Sequence, residues 1–163
     1  MDEELGGLLP SQRLAELGIE LPPVAAPVAA YIPALASAGQ VFTAGQLPFV
    51  NGSLAATGKV GAEIEPEQAA GLARAAALNA VAAAASVTGG VDGIRRVVKV
   101  TVFVASDPSF TGQPAVANGA SQLLQEIFGA GGRHVRSAVG VSVLPLDAPV
   151  EVELVVEANA ASF

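Results

Sequence analysis

"RSAVGVSVL" (residues 136–144) and "VEVELVVEA" (Val150–Ala158), separated only by "PLDAP", decide the fold class. In both segments apolar residues recur at every second position, which is the period of a strand. In the second, Val150, Val152, Leu154 and Val156 share one face, and Glu151, Glu153 and Glu157 share the other. Such a strand belongs to a sheet with one buried and one open face. In the first, Val139, Val141 and Val143 share one face, while Arg136, Ala138, Gly140 and Ser142 share the other. The second of these faces is made of small residues. It leaves room for an alanine-rich helix, another subunit or a ligand. Arg136 stands at its entrance with a planar fork of donors that matches a carboxylate, so a small carboxylate-bearing ligand is the candidate.

Working outward, "IRRVVKVTVFVA" (Ile94–Ala105) alternates in the same way. Val98, Val100, Val102 and Val104 are expected on one face, with Lys99, Thr101 and Phe103 opposite. Two helices flank this strand. The first is expected over residues 65–87, with Pro66 at the first helical position, Glu63, Glu65 and Glu67 where the dipole favours anions, and Gly89–Gly90 as the stop. Its apolar face is almost all alanine, so it can lie close to a neighbour. The second is expected over residues 114–128, on a stripe of Val116, Ala120, Leu123, Leu124 and Ile127, ending at Gly129.

Earlier in the chain, residues 1–9 read as a frayed start, and "PSQRLAELG" (residues 10–18) as a short helix capped by Ser11 and stopped by Gly18. Four prolines between residues 19 and 35 bar that stretch from a central strand. It is expected to wrap the surface and to enter the first strand near Tyr31. A strand follows over residues 40–46. The glycine-rich stretch 49–63, with its Asn51-Gly52 turn signal, is either a hairpin tip or a mobile loop. The whole predicts an α+β fold, a mixed β-sheet with two helices packed on one face.

The 163 residues suffice for one compact domain, with residues 1–23 as an N-terminal extension. Hydrophobic residues make up 52% and aromatics only 4%, so the core is built from small side chains. Fifteen acidic residues against eight Lys and Arg give a net charge of −7. This speaks against nucleic acid as a partner, since phosphate binding draws on clustered cations. Arg95, Arg96 and Lys99 form the densest basic patch, and an exposed strand edge accounts for it. The chain has no Cys and one His, which excludes disulfides, thiolate catalysis and a Cys or His metal cluster within one chain. No membrane span is legible, and the acidic N-terminus does not resemble a signal peptide, so a cytoplasmic protein without a membrane partner is expected. His134 either satisfies loop carbonyls beside the glycines or titrates near neutrality.

"AGQLP" (44–48), "VVKVTVFVASDPSF" (97–110), Asn118 near a helix start and "RSAVGVSVLPLDAPVEVELVVEA" (136–158) together resemble the Rid/YjgF family, long catalogued as liver perchloric-acid-soluble proteins. The resemblance runs from about Val24 to Ala158 in unbroken order. "GRHVRSAVGV" and "GKVGAE" mark a divergent subgroup. The resemblance implies a chorismate-mutase-like subunit, assembly as a homotrimer, ligand sites between subunits, and no cofactor or metal. It further implies hydrolysis of reactive enamines and imines such as 2-aminoacrylate to 2-keto acids and ammonia. By the same resemblance Arg136 clamps the substrate carboxylate and Glu151 positions or activates water. Tyr31 lines the cleft, Gly45 offers a backbone contact and Asn118 lines the site with a polar group. Ala44 and Ala138 stand where many active members carry a serine and a cysteine, which removes polar contacts from the substrate site. A non-catalytic small-carboxylate binder is the alternative, and an endoribonuclease a weaker one.

The residues themselves constrain the partnership of Arg136 and Glu151. Both open their strands. If the strands are antiparallel, nine residues at about 3.3 Å each place these starts roughly 30 Å apart. On that spacing the two groups meet only across a subunit boundary.

Overall fold

The computed structural model describes residues 7–27 and 29–160. The expected frayed start therefore lies largely outside the described residues. The first described element is a short helix, α1 (Pro10–Leu17). Gly18 ends it in the left-handed conformation (φ 67°), which glycine adopts without steric cost. Ser11 is not its cap. Leu9 holds that position, and its backbone N–H is met by the Gln12 side chain at 2.8 Å. Ser11 instead donates from both its N–H and its hydroxyl to the Asp92 carboxylate, at 2.8 and 2.6 Å. With Leu14 buried against the core, α1 is docked onto the domain.

The proline-rich stretch carries no strand until β1 (Ala34–Ser37), three residues after Tyr31. A tight turn leads to β2 (Gln40–Thr43), which is shorter than expected. Stretch 49–63 opens with a two-stranded hairpin, β3 (Phe49–Val50) and β4 (Ser53–Leu54), turned at Asn51-Gly52. Its second half is tied to two neighbours. Val60 donates to the Ala105 carbonyl at 2.7 Å, and Asp107 donates to Val60 at 2.9 Å. The first long helix is α2 (Pro66–Ala85), followed by β5 (Ile94–Ala105), α3 (Gln113–Phe128), β6 (Val135–Val141) and β7 (Val150–Ala158).

The five-stranded sheet has the order β1-β2-β7-β5-β6. Only the β5–β6 pair is parallel, with α3 as the crossover between them. All other neighbours are antiparallel. This is the mixed sheet expected, with α2 over β7 and β2 and α3 over β5 and β6. One detail of the strand pattern differs. A bulge between Val97 and Lys99 shifts the register, so that Val97 is fully buried and Val98 is partly exposed. A bulge inserts one extra residue and moves the later alternation by one step.

Small side chains let the two helices approach closely. Ala69, Ala73, Ala76, Ala77, Ala80, Ala83 and Ala84 of α2 are all fully buried. A Cβ added to Gly119 of α3 would lie 1.9 Å from the Ala70 carbonyl oxygen. The opposite face of the sheet carries no helix among the described residues, and a small cluster with Leu144 and Ala148 packs against it only at the Phe103 end. Leu35, Phe42, Val155, Lys99 and Val135 form one row across all five strands on that face. Leu35 (56%), Phe42 (44%) and Val135 (64%) are exposed along it. No helix among the described residues is long and apolar enough to cross a membrane.

Candidate functional site

The strand register fixes where Arg136 and Glu151 stand. Arg136 is level with Val100 and Leu154, and Glu151 with Phe103 and Val139. The groups are thus three residues apart along the strands, roughly 10 Å, with β5 between their strands. This corrects the expected separation of roughly 30 Å, which took β6 and β7 as antiparallel neighbours with their starts at opposite ends. Instead β5 lies between them, and Arg136 is level with Leu154 in the middle of β7. The residues still do not meet within one chain, for another reason. Val100 and Leu154 belong to the helix-covered face, whereas Phe103 belongs to the opposite one. The sheet lies between Arg136 and Glu151.

On the helix side, the half-buried Arg136 lies at the edge strand against the start of α3. Its Nη1 donates to Asn118 Oδ1 at 2.8 Å and to Ser121 Oγ at 3.2 Å, and Nη2 donates to the Pro114 carbonyl at 3.4 Å. Ser121 is buried and also meets His134 Nε2 at 2.8 Å. His134 Nδ1 faces the Gly132 carbonyl at 2.6 Å and donates to it, so in the neutral ring Nε2 accepts the Ser121 hydroxyl proton. His134 thus satisfies a loop carbonyl, as one of its two readings expected, and it holds Ser121 as well. Asn118 and Ser121 are one helical turn apart, which puts them on one face. Ser121 was missed in the sequence, and that spacing is the signal that could have found it.

The "GAGGRH" stretch delivers this group. Gly131 and Gly132 are wedged between β5 and α3, where a Cβ on Gly132 would lie 2.5 Å from the Leu124 carbonyl oxygen. Glycine is required there by close approach. The small-residue face of β6 is covered in part by α3. Ala138 packs against the core, and a Cβ on Gly140 would meet Gln113 Nε2 at 2.9 Å.

On the other side, Tyr31, Gly45 and Glu151 come together. β2 pairs with β7 up to Phe42–Val155, and pairing resumes one residue out of step at Gln46–Val152. In the gap, the Thr43 hydroxyl accepts the Leu154 N–H at 2.9 Å in place of a ladder bond. This excursion presses Gly45 onto Glu151, where an added Cβ would lie 2.1 Å from Glu151 Oε1. Gly45 also lines a small cleft of about 150 Å³ with Tyr31, Pro33, Leu47, Phe49 and Leu146. A wider, open groove of about 500 Å³ runs past Arg96, Arg133 and Glu157 at the far end of the sheet and holds none of the expected site residues. Among the described residues no three His, Asp or Glu side chains come together as a metal site would need.

Burial, aided by the neighbouring Glu153, pushes the Glu151 carboxyl above the ordinary glutamate range. The folded state therefore holds this proton more tightly than the unfolded chain does. Below the unfolded value both states are protonated and nothing is lost. As pH rises through the raised folded value, the buried charge destabilises the fold. Glu151→Gln is accordingly expected to melt higher than the wild type at about pH 7 and at the same temperature at about pH 3, by calorimetric melting at fixed protein concentration.

Comparison with known proteins agrees with this architecture. Residues 11–158 match the family described as "YjgF/chorismate mutase-like, putative endoribonuclease". The chain belongs to that family. The match begins within α1, ahead of Val24. Protein TCP17 of Trypanosoma cruzi is 46% identical over 147 residues, covering 90% of this chain and 92% of that protein. The protein Atu1372 of Agrobacterium tumefaciens, described as of unknown function, is 40% identical, with a TM-score of 0.84 over 92% of each chain. A Shewanella oneidensis protein described as a putative endoribonuclease is 34% identical, with a TM-score of 0.89 over 92% of this chain and 99% of its own. Arg136 and Asn118 on one side of the sheet and Glu151 on the other thus sit in a YjgF-like framework.

Proposed function

We propose that this YjgF-family protein hydrolyses small carboxylate-bearing enamines and imines to 2-keto acids and ammonia, at sites formed between copies of the chain in a homotrimer. The observation that carries the reading is the state of Arg136. Its charge is half-buried in an acidic protein, no carboxylate among the described residues neutralises it, and three of its five N–H donors are engaged. Two donors remain for the acid group of a ligand. The Gly45–Glu151 half of a neighbouring copy completes the site. The exposed apolar row of Leu35, Phe42 and Val135 favours association of copies through the helix-free sheet face.

The chemistry asks little of the protein. An enamine such as 2-aminoacrylate tautomerises to its imine, whose protonated C=N carbon is electrophilic. Arg136 fixes the carboxylate and so the position of that carbon. Water held by Glu151 attacks it, forming the C–O bond and passing its proton to the carboxylate. The same carboxyl returns the proton to nitrogen; as the C–N bond breaks, the hydroxyl proton passes to the Glu151 carboxylate, the C=O forms, and ammonia leaves with the keto acid and takes up that proton as ammonium. A raised Glu151 pKa suits a group that takes a proton and gives it back.

Ala44 and Ala138 favour a second reading, since neither brings a polar group to the substrate. On that reading the same clefts bind a 2-keto or amino acid without turning it over. The test is to generate 2-aminoacrylate with a dehydratase and follow its decay with and without the protein. Accelerated decay is expected. Unchanged decay, with keto-acid binding retained by calorimetry, establishes the binder. The net charge of −7 places ribonuclease action last among the readings.

A further inference from the structure

We propose that the cleft beside Tyr31 is a subsite for the apolar side chain of the substrate, walled by Leu146, so that this protein prefers imines with aliphatic side chains to three-carbon ones. The proposal rests on the hydrolase reading above and extends it to substrate class. The cleft adjoins the reacting position, because Gly45 lines it and lies against Glu151. Its lining includes no charged side chain and is built on Tyr31, Leu47, Phe49, Pro33 and Leu146. At about 150 Å³ it has room for one side chain and not for a peptide segment.

The walls are held by specific bonds. Asn79, buried in α2, donates from Nδ2 to the carbonyls of Leu47 and Phe49, both at 3.0 Å. Leu146 has φ 58° and Asp147 φ 57°, two successive residues in the left-handed region that side-chain-bearing residues rarely adopt. Three contacts hold them there. Lys59 pairs with the Asp147 carboxylate, Gly58 donates to the Asp147 carbonyl at 2.9 Å, and Asp147 donates to Leu144 at 3.1 Å. Glycine would take the Leu146 conformation freely. A leucine there is strained, and its side chain is left 61% exposed at the rim of the cleft. Strain of this kind gathers at ligand contacts, and here it aims an aliphatic side chain at an aliphatic guest.

The test uses imines generated by an amino-acid oxidase from alanine, 2-aminobutyrate, methionine and leucine. The leucine-derived imine is expected to show a kcat/KM at least roughly tenfold above the alanine-derived one, the discrimination that added methylenes bring in an apolar pocket. Leu146→Gly is expected to shrink that ratio to about threefold or less, with a melting temperature no lower than the wild type's. Equal rates across the series, or a ratio untouched by Leu146→Gly, overturn the subsite while leaving the hydrolase reading intact. Calorimetry with pyruvate and 4-methyl-2-oxopentanoate separates the other case. If no imine is turned over but the longer keto acid binds roughly tenfold tighter, the subsite stands and the hydrolase reading falls.

Discussion

Arg136→Ala is expected to lower kcat/KM for imine hydrolysis by about 100-fold or more, the scale on which a misplaced substrate loses rate. The loss should come without collapse of the fold. Ser121 keeps His134 as its partner, and the exposed Asn118 amide returns to water, so the stability cost is about 1 kcal/mol. Arg136→Lys restores the charge but not the planar fork that spans Asn118, Ser121 and a carboxylate together. It is expected to recover no more than roughly a tenth of the lost rate. Steady-state kinetics on the purified variants, with melting curves alongside, measures both halves. Full activity in Arg136→Ala would remove the guanidinium from the account.

Gly119→Ala is the substitution with the largest expected effect on stability. In an exposed helix interior the change would stabilise by about 1 kcal/mol, because alanine is the better helix former. Here the new Cβ would sit 1.9 Å from the Ala70 oxygen and 2.7 Å from its carbonyl carbon. Both are backbone atoms, which no rotamer change can move aside. The helices must part, and the alanine packing of α2 loosens along their contact. Overpacking of this kind costs about 3 kcal/mol, which outweighs the propensity gain. For a chain of this size the melting temperature falls by about 10 °C at fixed protomer concentration. Gly71, whose added Cβ has open space around it, is the control, and Gly71→Ala is expected to melt no lower than the wild type.

The bounds of β5 and β7 were legible to the residue, because valine recurs at every second position from Val98 to Val104 and from Val150 to Val152. The two long helices were legible within two residues at each end, from Pro66 and the alanine face in one and from the Val116–Ile127 stripe in the other. Strand order was not legible. Placing β7 beside β6 or two strands away buries the same valines, and "PLDAP" gives no hint that the chain passes over β5. The separation of Arg136 and Glu151 was misjudged for that reason, although in either geometry the two do not meet within one chain. The bulge at Val97 was hidden because three valines within four positions satisfy either register. The apolar cleft was hidden as well. Leu146 in a left-handed turn leaves no mark in sequence, since the conformation is imposed by Lys59 and Gly58 from a distant loop. Ser11 shows the reverse error, a residue of good capping type taken up by a distant carboxylate instead.

The two half-sites lie on opposite faces of one sheet, and the central claim is that neighbouring copies bring them together. Mixing subunits tests this directly. Arg136→Ala and Glu151→Gln proteins, each inactive alone, are unfolded, combined in equal amounts and refolded together. In a head-to-tail ring, about a quarter of the interfaces then pair an intact Arg136 with an intact Glu151. The account predicts recovery to about a quarter of wild-type activity per site. Mixed oligomers that form, as seen by native mass spectrometry, yet remain as inactive as either parent would contradict it.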